Sequence, residues 1–319
     1  MKVLANDGIA PEGVKVLEAK GFKVSTTNVP QEQLIDAINK EGYTALLVRS
    51  ATTVRKDLID ACPGLKLIGR GGVGMDNIDV EYARSKGIHV INTPAASSQS
   101  VAELVMGNLF SLSRFVFQAN RTMPEKGDTD FKRLKKAYAD GQEVRGKTLG
   151  IIGFGKIGQA LAAYALGVGM KVRAIDPFVE SAKISVNIEF HGPVKVMVDT
   201  EKELRDVIGD LDYISLHIPK TKNGEAVIGK DEFDLMKEGV IIANAARGGV
   251  MDEDALIQAL NSGKVRAAAL DVFENEPNPR KDLLQHERIL STPHIGAATD
   301  EAQSRIGIEL AEQIINLLT

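Results

Sequence analysis

Apolar and polar residues alternate along the first part of the chain in a pattern that predicts short strands separated by helices. Apolar runs such as Ala45–Val48 are too short for helices and end in polar residues, as buried parallel strands do. The predicted strands are residues 3–4, 22–25, 45–48, 65–69 and 88–91, and the predicted helices are residues 12–19, 31–38, 55–61 and 79–86. This alternation predicts a parallel sheet that is covered by helices on both faces.

A second series of strands begins near the middle of the chain. Its predicted strands are residues 148–152, 171–175, 213–216, 240–243, 267–270 and 288–290. Between the second and third of these strands, residues 184–198 alternate around a His-Gly-Pro turn and predict an inserted hairpin. The second half of the chain therefore predicts another doubly wound domain.

Helical segments connect and complete the two domains. A helix that begins with the capping box Ser100-x-x-Glu103 is apolar enough to be buried and reads as the crossover between domains. Residues 120–145 form a polar, exposed arm with one amphipathic piece at 131–138. The last helix, residues 299–317, has an apolar face that we expect to cover the first domain. We therefore predict one domain of residues 1–95 plus 296–319 and another of residues 96–295.

The turn after the strand at 148–152 carries a dinucleotide fingerprint. Gly153, Gly155 and Gly158 follow the strand and open a helix, and the next strand ends on Asp176. A helix N-terminus after such a turn offers free N–H groups to a pyrophosphate. Asp176 is placed to accept hydrogen bonds from the adenosine ribose, and residues 177–179 offer no cation for a 2′-phosphate. The cofactor is therefore predicted to be NAD rather than NADP.

Composition excludes several other classes of protein. The chain has 319 residues, and its net charge of −4 gives no basic surface for nucleic acid. No apolar run approaches the ~18 residues that cross a membrane, and the N-terminus begins with a strand rather than a signal peptide. The single cysteine, Cys62, is typical of a reducing cytoplasm, and the five histidines lack metal-binding spacing. We expect a cytoplasmic protein without a metal, membrane or nucleic-acid partner.

Three loops at strand ends carry residues that are suited to chemistry on a small acid. Arg247 follows one strand and has the geometry to hold a carboxylate through paired hydrogen bonds. Asp271 follows the next strand and is placed to accept a hydrogen bond from a nicotinamide carboxamide. Glu274 and Glu276 lie in the same loop and compete for the role of partner to a histidine. His294 follows the last strand and is the candidate proton carrier for a 2-hydroxy acid.

With these motifs the chain resembles the D-2-hydroxyacid dehydrogenases over nearly its whole length. The motifs are Gly-Phe-Gly-Lys-Ile-Gly, Asn-Ala-Ala-Arg-Gly-Gly, Asp-Val-Phe-Glu-Asn-Glu-Pro and Thr-Pro-His-Ile-Gly-Ala. The resemblance implies that Arg247, Glu276 and His294 are the catalytic residues, so that it favours Glu276 over Glu274. It implies a flavodoxin-like substrate domain, a Rossmann NAD-binding domain and an interdomain cleft, within an α/β fold of two doubly wound parallel sheets. The cofactor residues expected on this basis are Val73, Gly153, Gly155, Lys156, Ile157, Gly158, Asp176, His217, Ile218, Pro219, Ala245, Arg247, Asp271, His294, Gly296 and Ala297.

Two segments of the first domain are similar to the phosphoglycerate dehydrogenase branch of that family. They are Val48-Arg-Ser-Ala-Thr and Gly69-Arg-Gly-Gly-Val-Gly-Met-Asp-Asn77. A substrate phosphate needs a cation, which Arg49 would provide at the end of a strand. The similarity implies oxidation of a small phosphorylated 2-hydroxy acid, 3-phospho-D-glycerate, in the first step of serine biosynthesis. The substrate residues expected are Arg49, Ser50, Arg70, Gly72, Val73, Gly74, Asn77, Arg247 and His294.

The sequence alone leaves two other functions open. A reductase of hydroxypyruvate or glyoxylate belongs to the same family, and an NAD(H)-sensing, partner-binding protein can use the same scaffold. The helix around 101–112 and the arm after it resemble dimerisation elements of the family, and we expect a homodimer. The chain stops after its last helix, from which we expect a form without a C-terminal regulatory domain and without feedback by serine.

Overall fold

A computed structural model describes residues 1–221 and 223–319 and divides them into two compact units. The N-terminal unit consists of Met1–Ser100 with Ala297–Thr319, and the central unit consists of Val101–Gly296. The strands, in chain order, are β1 (Lys2–Ala5), β2 (Lys23–Ser25), β3 (Ala45–Val48), β4 (Leu67–Arg70), β5 (His89–Asn92), β6 (Thr148–Ile152), β7 (Lys171–Ile175), β8 (Ser181–Ile188), β9 (Gly192–Glu201), β10 (Tyr213–Leu216), β11 (Val240–Asn244), β12 (Val265–Leu270) and β13 (Ile289–Ser291). The α-helices are α1 (Pro11–Glu18), α2 (Leu34–Glu41), α3 (Lys56–Ala61), α4 (Val80–Ser85), α5 (Ser98–Ser113), α6 (Val116–Lys126), α7 (Phe131–Ala137), α8 (Lys156–Gly167), α9 (Lys230–Leu235), α10 (Glu253–Ser262), α11 (Lys281–Gln285) and α12 (Asp300–Leu318).

The N-terminal unit is built on a five-stranded parallel sheet in the order β2-β1-β3-β4-β5. Val3 and Ala5 belong to one apolar cluster and Leu4 to another, because successive side chains of a strand point to opposite faces. The helix α12 contributes to the first cluster through Ile306, Leu310, Ala311 and Ile314. The apolar face of the last helix therefore packs on this sheet.

The central unit is built on an eight-stranded sheet in the order β13-β12-β11-β10-β6-β7-β9-β8. All neighbours are parallel except β8 and β9, which form an antiparallel hairpin. The middle strands β6, β10 and β11 are mostly apolar and almost completely buried, as expected for a parallel sheet covered on both faces. The predicted α/β class with parallel sheets is confirmed.

The connections differ from the prediction in three respects. The predicted hairpin is present, but β9 also pairs in parallel with β7, so the hairpin extends the main sheet. The arm predicted to carry only one amphipathic piece contains two helices, α6 and α7. The helix after the glycine turn begins at Lys156 rather than at Gln159, because the turn residues themselves enter the first helical turn.

Within residues 1–221 and 223–319, no single helix is long and apolar enough to span a membrane. In the described part of the chain, α5 and α6 taken together reach that length and composition, with a bend of 59° between them.

Candidate active site

Three loops leave neighbouring strands at the same edge of the central sheet. The strands β11, β12 and β13 are adjacent and parallel, with Asn244 opposite Leu270. The loops that follow them carry Arg247, Glu276 and His294. Since the carboxyl ends of parallel strands meet at one edge, the sheet brings these loops together.

His294 and Glu276 form a hydrogen-bonded pair. The His294 Nδ1 and the Glu276 Oε2 are 2.8 Å apart, and both side chains are partly exposed, at 39% and 36%. Because an ionised carboxylate only accepts, Nδ1 carries the proton, which leaves Nε2 available to a substrate. The other carboxylate oxygen, Oε1, accepts a hydrogen bond from the Phe273 N–H at 2.9 Å. Glu276 is thus fixed to its own loop while it orients the imidazole.

Asp271 is buried and holds the backbone around His294. Its Oδ1 accepts hydrogen bonds from the Thr292 hydroxyl at 2.6 Å and from the Ile295 N–H at 2.8 Å. Its Oδ2 accepts one from the Gly296 N–H at 2.8 Å. His294 lies inside this loop with a left-handed φ of 54°, a conformation that costs free energy for a residue other than glycine. The bonds to Asp271 maintain that conformation, and the predicted contact of Asp271 with nicotinamide stays a prediction.

The loop after β11 is shaped by a buried asparagine. The Asn244 amide donates to the Arg247 carbonyl at 2.9 Å and accepts from the Ala246 N–H at 3.1 Å. The half-buried Arg247 donates from Nη1 to the Ala246 carbonyl at 2.6 Å. A Cβ on Gly248 would overlap the carbonyl of Phe273, so the loop that carries the arginine lies directly against the loop that carries the glutamate.

The glycine turn has the geometry that a dinucleotide requires. Gly153 has a φ of 93°, and a Cβ there would overlap the carbonyl of His217. A Cβ on Gly158 would overlap the carbonyl of Gly153, so glycine permits the close packing of α8 on the turn. The space beside Gly155 is open, and α8 begins there without a side-chain cap. The free N–H groups of this helix N-terminus therefore face space that a pyrophosphate can occupy.

Asp176 joins the end of β7 to the glycine turn. Its Oδ2 accepts a hydrogen bond from the Phe154 N–H at 2.8 Å, inside the turn. Its Oδ1 accepts from the N–H groups of Phe178 at 2.8 Å and Val179 at 3.1 Å. The carboxylate is thus held in place by three backbone donors, and its remaining acceptor capacity is available to ribose hydroxyls.

His217 lies against the glycine turn at the end of β10. Its Nε2 lies 2.8 Å from the Ser215 hydroxyl oxygen. Its Nδ1 is buried and has no hydrogen-bond partner among residues 1–221 and 223–319. Burial lowers the pKa of His217 to about 4, so the ring is neutral near pH 7.

The other residues predicted to bind the cofactor divide between the two units. Lys156 and Ile157 lie in the first turn of α8, and Ile218 lies beside the glycine turn. Pro219 follows Ile218 directly, and Ala245 begins the loop after β11. Two further predicted residues belong to the N-terminal unit: Val73 and Ala297.

In the N-terminal unit, the loop that carries Arg49 is held by two side chains. The Asp7 carboxylate accepts hydrogen bonds from the N–H groups of Arg49 at 2.6 Å and Thr52 at 3.1 Å, and from the Thr52 hydroxyl at 2.5 Å. The Asn77 amide donates to the carbonyls of Arg49 at 2.7 Å and Thr52 at 2.6 Å. Asn77, predicted to contact substrate, thus uses both amide hydrogens to fix this loop.

The Arg49 guanidinium has no hydrogen bond or ion pair with any other residue that the structure describes. It lines a cavity of about 450 Å³ together with Asp7, Glu12 and the first turn of α12. Arg49 is therefore a cation that is accessible to a small ligand.

The glycine-rich loop after β4 supplies the remaining predicted substrate residues. The Arg70 guanidinium lies over Gly72, which has a φ of 146° and leaves room for it. The Asn92 amide donates to the Val73 carbonyl at 2.7 Å. Val73 is exposed and Gly74 is half-buried, and Ser50 is exposed in the neighbouring loop. The substrate roles of these residues stay predictions.

Three residues that shape the site were not identified from the sequence. Asn244 shapes the Arg247 turn, Asp7 fixes the Arg49 loop, and Glu253 accepts a hydrogen bond from the Glu274 N–H at 2.9 Å. Each is a polar residue at or next to the end of a buried strand or at the start of a helix. That position in the sequence was the feature from which a role in the site could have been predicted. Asp7 and Glu253 bond to backbone groups of loops that are distant in sequence, which no local pattern specifies, whereas Asn244 bonds within its own loop.

The matches to known proteins place this geometry in a family. The family model described as D-isomer specific 2-hydroxyacid dehydrogenase, NAD binding domain, matches residues 106–296. Because this match covers more than half of the chain, the chain belongs to the D-isomer specific 2-hydroxyacid dehydrogenases. The loops described above for the central unit fall within the matched range.

Two relatives and one solved structure show where in the family the similarity is high. The chain is 42% identical over 322 residues to the D-3-phosphoglycerate dehydrogenase of Methanocaldococcus jannaschii, with 100% of this chain and 57% of that protein covered. It is 43% identical over 321 residues to the hydroxypyruvate reductase of Thermotoga maritima, with 99% and 98% covered. The cofactor (NAD+) bound 3-phosphoglycerate dehydrogenase of Entamoeba histolytica is 28% identical, with a TM-score of 0.78 and 99% and 94% covered. The chain thus spans little more than half of the first relative and nearly all of the second.

Proposed function

We propose that this protein oxidises 3-phospho-D-glycerate to 3-phosphohydroxypyruvate with NAD. The observation that carries the reaction class is the His294–Glu276 pair at 2.8 Å, at the same sheet edge as the Arg247 loop. A 2-hydroxy acid needs an anchor for its carboxylate and a carrier for its hydroxyl proton, and these loops provide both. The names of the M. jannaschii and E. histolytica proteins support the choice of substrate.

Each catalytic residue has one task in this reaction. The Arg247 guanidinium binds the substrate carboxylate through paired hydrogen bonds and thereby sets the orientation of C2. The His294 Nε2 accepts the hydroxyl proton, and the Glu276 carboxylate stabilises the imidazolium that results. The chemistry that bound NAD would supply is a hydride acceptor for C2. The glycine turn and Asp176 would hold the cofactor, since the turn leaves space beside Gly155 and the α8 N-terminus is uncapped.

A cation in the N-terminal unit supports the proposal that the substrate is phosphorylated. Arg49 is a cation whose guanidinium bonds to no other residue in the described part of the chain, and it lines a cavity. A phosphate oxygen would supply the acceptors that this guanidinium lacks. The Asp7 and Asn77 bonds to the Arg49 loop fix the backbone from which that cation extends.

A substrate panel with NAD and with NADP tests the proposal. We expect turnover of 3-phospho-D-glycerate with NAD, measured as absorbance of the reduced cofactor while the product is removed by a coupled transaminase. NADP should be used much less well, because a 2′-phosphate would meet the Asp176 carboxylate. Turnover well below ~1 per second with every acid in both directions would contradict the proposal and favour a partner-binding role.

A second candidate is a reductase of hydroxypyruvate. It is favoured by the T. maritima relative, 98% of which is covered at 43% identity. Changing Arg49 to Ala separates the two candidates. If the phosphate is bound by Arg49, KM for 3-phospho-D-glycerate should rise about ten- to hundredfold, the value of a charge-assisted hydrogen bond or two, and KM for glyoxylate should change little. An unchanged KM for the phosphorylated acid would favour the reductase.

A further inference from the structure

Glu253 is a buried carboxylate that the proposed mechanism does not use. It is the first residue of α10, and only 5% of it is exposed. Its Oε1 accepts a hydrogen bond from the Glu274 N–H at 2.9 Å, whereas its Oε2 is enclosed without a partner among residues 1–221 and 223–319. Burial raises the pKa of the Glu253 carboxyl, so the position opposes the charged form. A carboxylate at such a place calls for a specific reason.

Capping of α10 does not supply that reason. The cap is Asp252, whose carboxylate accepts a hydrogen bond from the Ala255 N–H at 2.9 Å. Asp254 in the same turn adds a further negative charge near the helix N-terminus and pairs with Arg280 at 2.7 Å. The helix thus has its cap and its favourable first-turn charge without Glu253. The hydrogen bond of Glu253 goes instead to another loop.

That loop is the one that carries Glu276. Glu253 holds the Glu274 N–H, and the preceding Phe273 N–H donates to the Glu276 Oε1 at 2.9 Å. The Glu276 Oε2 in turn lies 2.8 Å from the His294 Nδ1. A short chain of hydrogen bonds and peptide units therefore runs from the start of α10 to the imidazole.

The same loop is fixed from its other side by the Arg247 turn. A Cβ on Gly248 would overlap the Phe273 carbonyl and approach the Glu274 nitrogen, so the two loops are already in close contact. Glu253 follows the Arg247 turn in the chain by only a few residues and bonds back to this contact. Its carboxylate therefore links the substrate anchor to the proton carrier.

We propose that Glu253 is a positioning residue that fixes the loop of Glu276, and through it the orientation of the His294 imidazole. The proposal rests on the function proposed above for His294 and Glu276. Glu253 does not touch the substrate. What it supplies is an acceptor at a fixed distance from the Glu274 N–H, so geometry rather than charge is the property that matters. A Gln retains that acceptor, whereas an Asp places it about one methylene too far away.

Proton NMR on the full chain tests this directly. The Nδ1–H of an imidazole bonded to a carboxylate gives a downfield resonance, assigned here by its loss in His294→Ala. We expect the resonance in the unaltered protein and in E253Q, a shift or broadening in E253D and E253A, and its loss in E276Q. The control D254N alters an exposed acid of the same turn and should leave the resonance unchanged.

Kinetics of the same variants give a second readout. A misplacement of the imidazole by a fraction of an ångström should lower kcat about ten- to hundredfold in E253D and E253A, with KM for NAD unchanged and with kcat retained in E253Q. If Glu253 had a purely structural role, E253D and E253A would lower the melting temperature but would not lower kcat at constant KM for NAD. In that case E253Q would also not restore kcat.

The outcomes separate this proposal from the proposed function. If E276Q removes the resonance while E253D and E253A leave it and kcat unchanged, the positioning role is wrong. Loss of the resonance in E253Q as great as in E253A would also overturn it. If the resonance behaves as expected but no 2-hydroxy acid is turned over, the positioning role stands and the proposed function fails. If E253A does not fold, the comparison of E253D with E253Q still tests the positioning role.

Discussion

The imidazole of His294 depends on two carboxylates that act on different parts of the residue. Glu276 bonds to the ring, whereas Asp271 bonds to the hydroxyl and N–H groups on either side of the left-handed backbone. A ring that is free to rotate would present Nε2 to the substrate only part of the time. Glu276 therefore prevents rotation of the ring, and Asp271 prevents relaxation of the loop.

Replacement of Glu276 by Gln should reduce kcat about 10²–10⁴-fold, the contribution of a positioned acid–base group. The amide has the same size, but it no longer stabilises the imidazolium, so the loss comes from the charge rather than from packing. The matched control is Glu274→Gln, since the Glu274 side chain is exposed and only its N–H bonds to the site. The measurement is kcat for both variants. Equal losses in the two variants would contradict the assignment of Glu276.

His217 gives a prediction about stability and pH. Its pKa is lowered to about 4 by burial, whereas the unfolded chain takes up the proton near 6.5. As the pH falls through this window, the unfolded state binds a proton that the folded state does not, so the free energy of unfolding decreases. The full loss is about 2–3 kcal/mol by pH 4. Well above pH 6.5, where both states leave the ring unprotonated, the group contributes no pH dependence.

The contribution of His217 to the free energy of unfolding is measured by urea unfolding of the unaltered protein and of His217→Asn at several pH values between 7 and 4. The unfolding free energy of the unaltered protein minus that of His217→Asn should decrease by about 2–3 kcal/mol as the pH falls from 7 to 4. His89→Asn is the control, because His89 is exposed on β5. A parallel decline in all three proteins would show that other groups cause the acid sensitivity.

Residue types and spacing were sufficient to select Arg247, His294 and the acids between them as candidates. They could not decide between Glu274 and Glu276, because both follow the same strand at nearly the same distance. The structure shows that Glu276 reaches the ring while Glu274 contributes its backbone N–H. A choice between neighbouring side chains depends on the loop conformation, which arises from contacts that are distant in sequence.

At the scale of elements, the loop between β3 and α3 is rigid because it is bonded at several points from two other loops. Asp7 accepts from its N–H and hydroxyl groups, and Asn77 donates to its carbonyls. Asp7 was not identified from the sequence, and Asn77 was predicted to contact substrate rather than to hold this loop. The sequence predicted the strands correctly, but the loops acquire their shape from these cross-connections.

Replacement of Asp7 by Ala should therefore affect a phosphorylated substrate selectively. The Arg49 loop loses its three acceptor contacts, and the displaced guanidinium should raise KM for 3-phospho-D-glycerate about tenfold. KM for glyoxylate should stay nearly constant, since it has no phosphate. Glu12→Gln is the control, because Glu12 lines the same cavity without bonding to the loop. A similar rise in KM for both acids would indicate a general loss of structure instead.

The helices α6, α9, α10 and α11 were not predicted from the sequence, although α10 has ten residues and a buried apolar face. The helices α9 and α11 have six and five residues, which is too few for a helical period to stand out. The helix α6 has no buried residue, so it lacks the apolar face on which a prediction depends. The hairpin was predictable because its residues alternate, but its pairing with β7 was not, since only two residue pairs form it.

At the scale of the whole molecule, the two sheets could be predicted because their strands are apolar runs bounded by turns. The order of the strands within each sheet follows from the usual doubly wound connections. The last turn of α5 and the two helices that follow it carry exposed apolar residues that packing within one chain does not explain. They are Phe110, Val116, Met123 and Phe131, which are 41%, 56%, 42% and 57% exposed. Such a concentration in one segment is typical of a surface that another protein covers.

We predict that this segment is the interface of a homodimer. Sedimentation should then show a species of twice the chain mass of 34.4 kDa. The double variant V116E/F131E should dissociate it, because each buried and unpaired carboxylate opposes association. Phe190→Glu is the matched control, since Phe190 is 95% exposed but lies in the turn of the β8–β9 hairpin. A single-chain species in the unaltered protein would contradict the dimer, and dissociation by F190E alone would move the interface to the hairpin.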